Sequence, residues 1–389
     1  MIHALLAGAV LAGLDVVEAA GGAPLRGRRV GLVAHAASVT VDGRHSLDVL
    51  RASGAVVVRL FAPEHGWRAR AAAGEALSDG REAGLPLVSL HGPRAKPAAE
   101  ELRDLDALVV DLQDAGVRFY TYASTLLLCL EAAAQADLEL VVLDRPNPLG
   151  GLLVEGPEAD ASTSRTLLSL APGPLVHGLT LGELSRLAAQ RSQRPVRLTV
   201  VRMEGWRREM RWADTGRAWI PPSPNLRSPE AALAYPGTAL LEATNLSEGR
   251  GSEAPFLLFG APWFDAEALA RRLDPMAFGL ALSPAEFVPK GSQAEPAPKH
   301  RDARCLGLRV SVHDPAALRP YAFGVALLEA ARAQTGFAWL RHGAALDTLL
   351  GTRHVREALE RGESPAAIVA RDGAAVEAFR GERRPALLY

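Results

Sequence analysis

The chain has 389 residues, of which 48% are hydrophobic and 22% charged, an ordinary globular composition with material for a sizeable core and for two domains. Its 43 basic residues face 44 acidic ones, a formal charge of -1, which excludes a general electrostatic grip on nucleic acid or on an anionic membrane. Two cysteines, Cys129 and Cys305, are too few for a disulfide framework or a thiolate zinc site, and both read as core residues.

The opening run MIHALLAGAVLAGLDVV is apolar, but it has no basic segment before it and no persuasive cleavage site. No apolar stretch of about 20 residues follows, so no membrane insertion is expected and a cytoplasmic home is the expectation. Short apolar runs then alternate with helical patterns up to residue 150. The runs are RRVGLVA (28–34), AVVVRLF (55–61), LPLVSL (85–90), DALVVDL (106–112) and LELVVLD (138–144). Several are continuous in Val and Leu, the pattern of strands buried on both faces of a parallel sheet. With helix candidates at 44–53, 97–104 and 122–136, this is the βαβ rhythm of a doubly wound, Rossmann-like α/β domain. We expect it to span residues 1–160, with a smaller α+β auxiliary domain at 161–389 completing a cleft.

Beyond Gly151 the rhythm breaks. Thr180 and Glu183 form a capping box at the start of a helix, and RLTVVRM (197–203) reads as a strand. The stretch 204–262 is rich in Pro, Gly, Trp and Asn and reads as a long loop of the functional kind. Helices are expected near 315–334, 343–350 and 353–361, an exposed loop at 289–301, and an extended end, RRPALLY.

Open parallel sheets bind ligands beyond the carboxyl ends of their strands. There the second run delivers Pro63–Glu64–His65–Gly66. The fourth delivers Asp111, then Gln113, Asp114 and Arg118, and the fifth delivers Asp144–Arg145–Pro146–Asn147–Pro148. Taken singly, each carboxylate has an ordinary reading as a helix cap; together they favour a site. GLVAHAAS after the first run is not GxGxxG, and GxxxxGK[ST], GxSxG and HExxH are all missing. No cofactor and no metal is therefore expected, although His65, His91 and Asp111 can be assembled into a metal site on paper.

Seven strings come in a fixed order: FAPEHGWRARAAAGE, VVDLQDAGVRFYTY, VVLDRPNPLGG, HGLTLGEL, WIPPSPNL, YPGTALLEATNLSEGRG and PFLLFGAPW. Through them the chain resembles the exo-β-N-acetylmuramidase (NamZ) family from about residue 14 to its end. The resemblance implies a Rossmann-like domain joined to an auxiliary one, an active site in the cleft between them, and release of terminal N-acetylmuramic acid (MurNAc) from the non-reducing end of peptidoglycan fragments. It maps the family's favoured catalytic glutamate onto Glu64. The sequence departs from the family pattern at Ala34–His35–Ala36, where an Asn and a polar residue are usual.

Glycosidic cleavage uses two carboxyl groups. Glu64, between an apolar strand and Trp67, is expected to have a raised pKa suited to the acid role. Asp111, Asp144, Glu75 and Glu248 are candidates for its partner. His65 is a further catalytic candidate, although a neighbour on a strand points to the opposite face. Arg118 and Arg250 are the expected partners of the substrate's lactyl carboxylate, with a clamp on a loop as the alternative for each. Tyr120, Tyr122, Asn147, Asn225 and Glu248 complete the expected binding set, and two at most of Trp206, Trp212, Trp219 and Trp263 are expected to touch sugar. The alternatives are a non-catalytic binder of the same fragments, which needs no group at Glu64, and a metal-assisted hydrolase, which a chelator would stop. The oligomeric state is left open.

Overall fold

The computed structural model describes residues 8–160 and 166–389; the first seven residues of the apolar opening run lie outside it. Its larger sheet has seven strands: β1 (Arg29–Ala34), β2 (Val56–Ala62), β3 (Gly80–Glu82), β4 (Leu85–Ser89), β5 (Ala107–Asp111), β6 (Glu139–Leu143) and β7 (Leu198–Val201). They lie in the order β3-β4-β2-β1-β5-β6-β7. Every pairing is parallel except that of the short β3 with β4. All five residues of β5 are buried, as a Val/Leu-continuous strand in a two-faced sheet requires. The chain winds from β1 out to β4, returns to β5 and continues to β7. The order therefore reverses between β1 and β5, where open sheets form their ligand crevice.

The five N-terminal runs are thus strands of one sheet, and the expected α/β class holds. β7 lies beyond residue 160, yet it is the edge of the same sheet. The capping box is present: Thr180 Oγ1 accepts from the Glu183 amide, and Glu183 Oε2 accepts from the Thr180 amide, both at 3.1 Å.

The second sheet is small and antiparallel, in the order β8-β10-β9, from β8 (Leu258–Ala261), β9 (Leu280–Phe287) and β10 (Cys305–Val312). The stretch 204–262 is not one long loop. It contains the helix Pro229–Thr238, capped by Ser228, and a 3-10 turn at Ala239–Ala243. Ala-rich and interrupted by Pro236, that helix lacks a clear polar face because it is buried on most sides. It packs against the helix Pro320–Arg332 at a point where Gly237 and Gly324 meet: a Cβ on Gly237 would fall 2.1 Å from the Pro320 carbonyl oxygen. The end of the chain is helical through Pro365–Arg371 and Gly373–Arg383 before its last extended residues. Among the described residues no helix is long and apolar enough to cross a membrane.

Candidate active site

β2 ends at Ala62, and the PEHG string that follows is a turn. His65 has φ 68° and Gly66 φ 75°, left-handed values that abandon the alternation of a strand. For that reason Glu64 and His65 do not face opposite ways. Both line one cavity of about 110 Å³. Its other wall includes Asn225, Tyr235, Glu242, Arg250 and Phe256.

Glu64 is buried, at 9% exposure. Its Oε1 accepts from the Gly74 amide at 2.7 Å and its Oε2 from the Thr121 hydroxyl at 2.7 Å. Thr121 opens the helix Thr121–Gln135, so that helix and the turn after β2 hold the carboxylate from two sides. His91 Nε2 lies 3.7 Å from Oε1. Burial pushes the Glu64 carboxyl up, but the His65 ring, the Gly74 amide, the His91 ring and the Thr121 hydroxyl together outweigh it, and the group sits below the ordinary glutamate range. The expected raised pKa is not found, because the strand's apolar character ends before Glu64 and donors meet both of its oxygens. Burial lowers the His65 pKa. Its Nδ1 lies 2.9 Å from the Ala71 carbonyl; since a carbonyl only accepts, Nδ1 donates there.

On the opposite wall Arg250 stands among three carboxylates: Glu242 at 2.8 Å, Glu248 at 3.2 Å and Glu295 at 3.3 Å. Its guanidinium lies 5.1 Å from the centroid of the Phe256 ring. Asn225 Nδ2 donates to Glu295 at 3.4 Å, while Asn225 Oδ1 is buried without a partner among the described residues. The Tyr120 ring packs edge-on against Tyr122 and Tyr235 and lines the cavity.

The remaining expected site residues are held elsewhere. Asp111 makes a two-pronged ion pair with Arg145, at 2.5 and 3.0 Å, with both side chains buried. Asp144 accepts from Thr180, Gly182 and Tyr389, and burial raises its pKa to about 7. Arg118, fully buried, donates to the carbonyls of Pro157, Gly173 and Leu350, a clamp between distant segments and not a hand offered to substrate. Asn147 closes its own turn through the Leu149 amide and the Leu179 carbonyl. The Tyr122 hydroxyl donates to the Pro222 carbonyl at 2.7 Å. Glu248, whose pKa is lowered, lies behind Arg250 on Lys299 at 2.8 Å. Glu75 is exposed and caps Ala72.

None of the four tryptophans is among the residues lining the cavity. Trp212 and Trp219 pack on each other, and Trp206 packs on Tyr389. The aromatic faces at the cavity are Phe119, Tyr120, Tyr235 and Phe256. Sequence reasoning also passed over Thr121, Glu242 and Glu295. Glu242 stands in the string LLEATNL, a charge inside an apolar run, and that was the available signal. Among the described residues no group of three or more His, Cys, Asp or Glu side chains is arranged to hold a metal ion.

The chain is 35% identical over 371 residues to the peptidoglycan β-N-acetylmuramidase NamZ of Bacillus subtilis, covering 94% of this chain and 88% of that protein. Two crystal structures of DUF1343 family proteins from Bacteroides fragilis superpose on it. One gives a TM-score of 0.87 at 30% identity and the other 0.79 at 29%, each covering 98% of this chain and 99% of the other. The family model for the N-terminal part of exo-β-N-acetylmuramidase NamZ matches residues 30–230, and that for its C-terminal part matches residues 233–389. The chain belongs to the exo-β-N-acetylmuramidase NamZ family.

Proposed function

We propose that the protein is an exo-acting glycoside hydrolase that releases terminal MurNAc from the non-reducing end of peptidoglycan fragments. In this reading Glu64 works as an ionised carboxylate, either base or nucleophile. The observation that carries it is the buried Glu64 carboxylate, held ionised by donors on both oxygens in a cavity whose far wall bears Arg250. A carboxylate fixed in this way is ready to activate water or to attack an anomeric carbon, two roles open to the second carboxyl group of a glycosidase. A proton donor for the leaving group then has to come from another residue. Arg250 is the cation placed to meet the lactyl carboxylate, the group that separates MurNAc from GlcNAc. Asn225 Oδ1 offers an acceptor for a sugar hydroxyl or an acetamido N–H. The reading extends to a cytoplasmic recycling role; cell fractionation is its check.

The test is a pair of nitrophenyl glycosides, one of MurNAc and one of GlcNAc. A charge-assisted hydrogen bond is worth about 1.5–3 kcal/mol, so kcat/KM is expected to favour the MurNAc glycoside by about 10- to 100-fold. Equal rates on the two sugars would leave a general hexosaminidase and remove the muramidase assignment.

A further inference from the structure

The loop 289–301 was expected to be an exposed connection, and much of it is exposed. Pro289 and Pro298 are buried, and Glu295 is half-buried. Glu295 reaches back to the cavity wall, where its Oε2 meets Arg250 Nη1 at 3.3 Å and Asn225 Nδ2 at 3.4 Å. These contacts are long beside the 2.8 Å bond from Arg250 to Glu242. The turn that carries Glu295 is tied locally, Ser292 and Glu295 bonding each other's backbone. It is pinned at its two ends, by the Lys290 amide on the Gly251 carbonyl and the Asp302 amide on the Pro289 carbonyl.

We propose that Glu295 is a resident carboxylate seated where the substrate's lactyl carboxylate binds, on Arg250 and Asn225, and that substrate entry displaces it by swinging the 291–297 turn outward. This rests on the muramidase reading of the same cavity and adds a specificity-determining residue to it. Three observations support it. Glu242, Glu248 and Glu295 already set three carboxylates against Arg250 and Lys299, so a fourth cannot join unless one leaves. Of the three, Glu295 makes the longest contact with Arg250 and stands on an exposed turn, and burial raises its pKa despite Arg250. Arg250 and Asn225, the two partners of Glu295, both line the cavity, so a carboxylate entering it meets the same two side chains.

The experiment compares wild type with Glu295→Gln and Glu295→Ala. Free MurNAc and free GlcNAc are titrated by calorimetry, and the two nitrophenyl glycosides are assayed. Losing a competitor held by a long ion pair is expected to tighten MurNAc binding, and to lower KM for its glycoside, by about two- to fivefold. The gain should be larger for MurNAc than for GlcNAc, which brings no carboxylate to the seat. D-lactate should inhibit both variants at lower concentration than it inhibits wild type. If wild type prefers MurNAc but neither variant tightens it, the seat is not Glu295's, while the enzyme assignment stands. A fall in kcat on glycans with poor leaving groups, with MurNAc affinity unchanged, would make Glu295 a proton donor and overturn the proposal. If wild type itself does not distinguish the two sugars, the lactyl reading fails first and this inference falls with it.

Discussion

Replacing Glu64 with Gln is expected to lower kcat by about 10²- to 10⁴-fold, the usual cost of losing a positioned acid–base group, on nitrophenyl MurNAc and on natural fragments alike. The equality of the two losses is the informative part. A proton donor matters little when the leaving group is already stable as an anion, so loss of an acid spares nitrophenyl substrates. Loss of a base or nucleophile spares neither. The two donors on Glu64 and its depressed pKa place it in the second class. Folding should change little. The Gln carbonyl can keep the Gly74 amide, and the Thr121 hydroxyl can turn to accept from the new NH₂ group, so the melting temperature should stay within a few degrees. A nitrophenyl rate close to wild type, with natural fragments untouched, would make Glu64 the acid instead. Unimpaired turnover of both substrates would move the search to Glu242, the other glutamate on the cavity wall.

The sheet was legible because its signal is local. Runs such as DALVVDL state their burial in consecutive letters, and Thr180 with Glu183 states a helix start in four. The motif strings also held Glu64, Tyr120, Asn225 and Arg250, which line one cavity. What failed was the step from a strand end to the direction of a side chain. Asp111, Asp144 and Glu64 all end or follow parallel strands, and nothing in their immediate neighbours says which of them finds a cation or a hydroxyl first. Arg145, 34 positions after Asp111, takes the carboxylate of Asp111. Thr180 and Tyr389 take that of Asp144. Alternation does not count against His65, for a related reason, since strand alternation does not extend into a left-handed turn. The helix Pro229–Thr238 was hidden because a helix buried on most sides loses the polar stripe that makes periodicity visible. The tryptophans misled by type: a large aromatic ring fills a core as readily as it stacks on a sugar.

Asp111→Asn is expected to cost stability more than chemistry. Asp111 and Arg145 are almost wholly removed from water, with side-chain exposures of 0% and 2%, and their two contacts form a fork that Asn cannot reproduce. Breaking a buried pair by neutralising one partner costs about 3–5 kcal/mol, because the remaining charge stays desolvated. Arg145 retains the Val39 carbonyl at 3.0 Å, which answers one nitrogen and none of the charge. The loss bears on the C-terminal edge of the sheet, where β5 and the turn after β6 lie side by side. Denaturant unfolding should therefore show a lower midpoint, by a margin that dominates any other effect. The fraction that remains folded at low temperature should keep a KM near wild type, since neither residue lines the cavity. Replacing both residues at once, with Asp111→Leu and Arg145→Met, should recover part of the lost stability, because an apolar pair leaves no charge stranded. The structural role fails if Asp111→Asn melts like wild type while its turnover drops by orders of magnitude; Asp111 would then be working on substrate from behind the cavity wall, and the ion pair would be its resting partner.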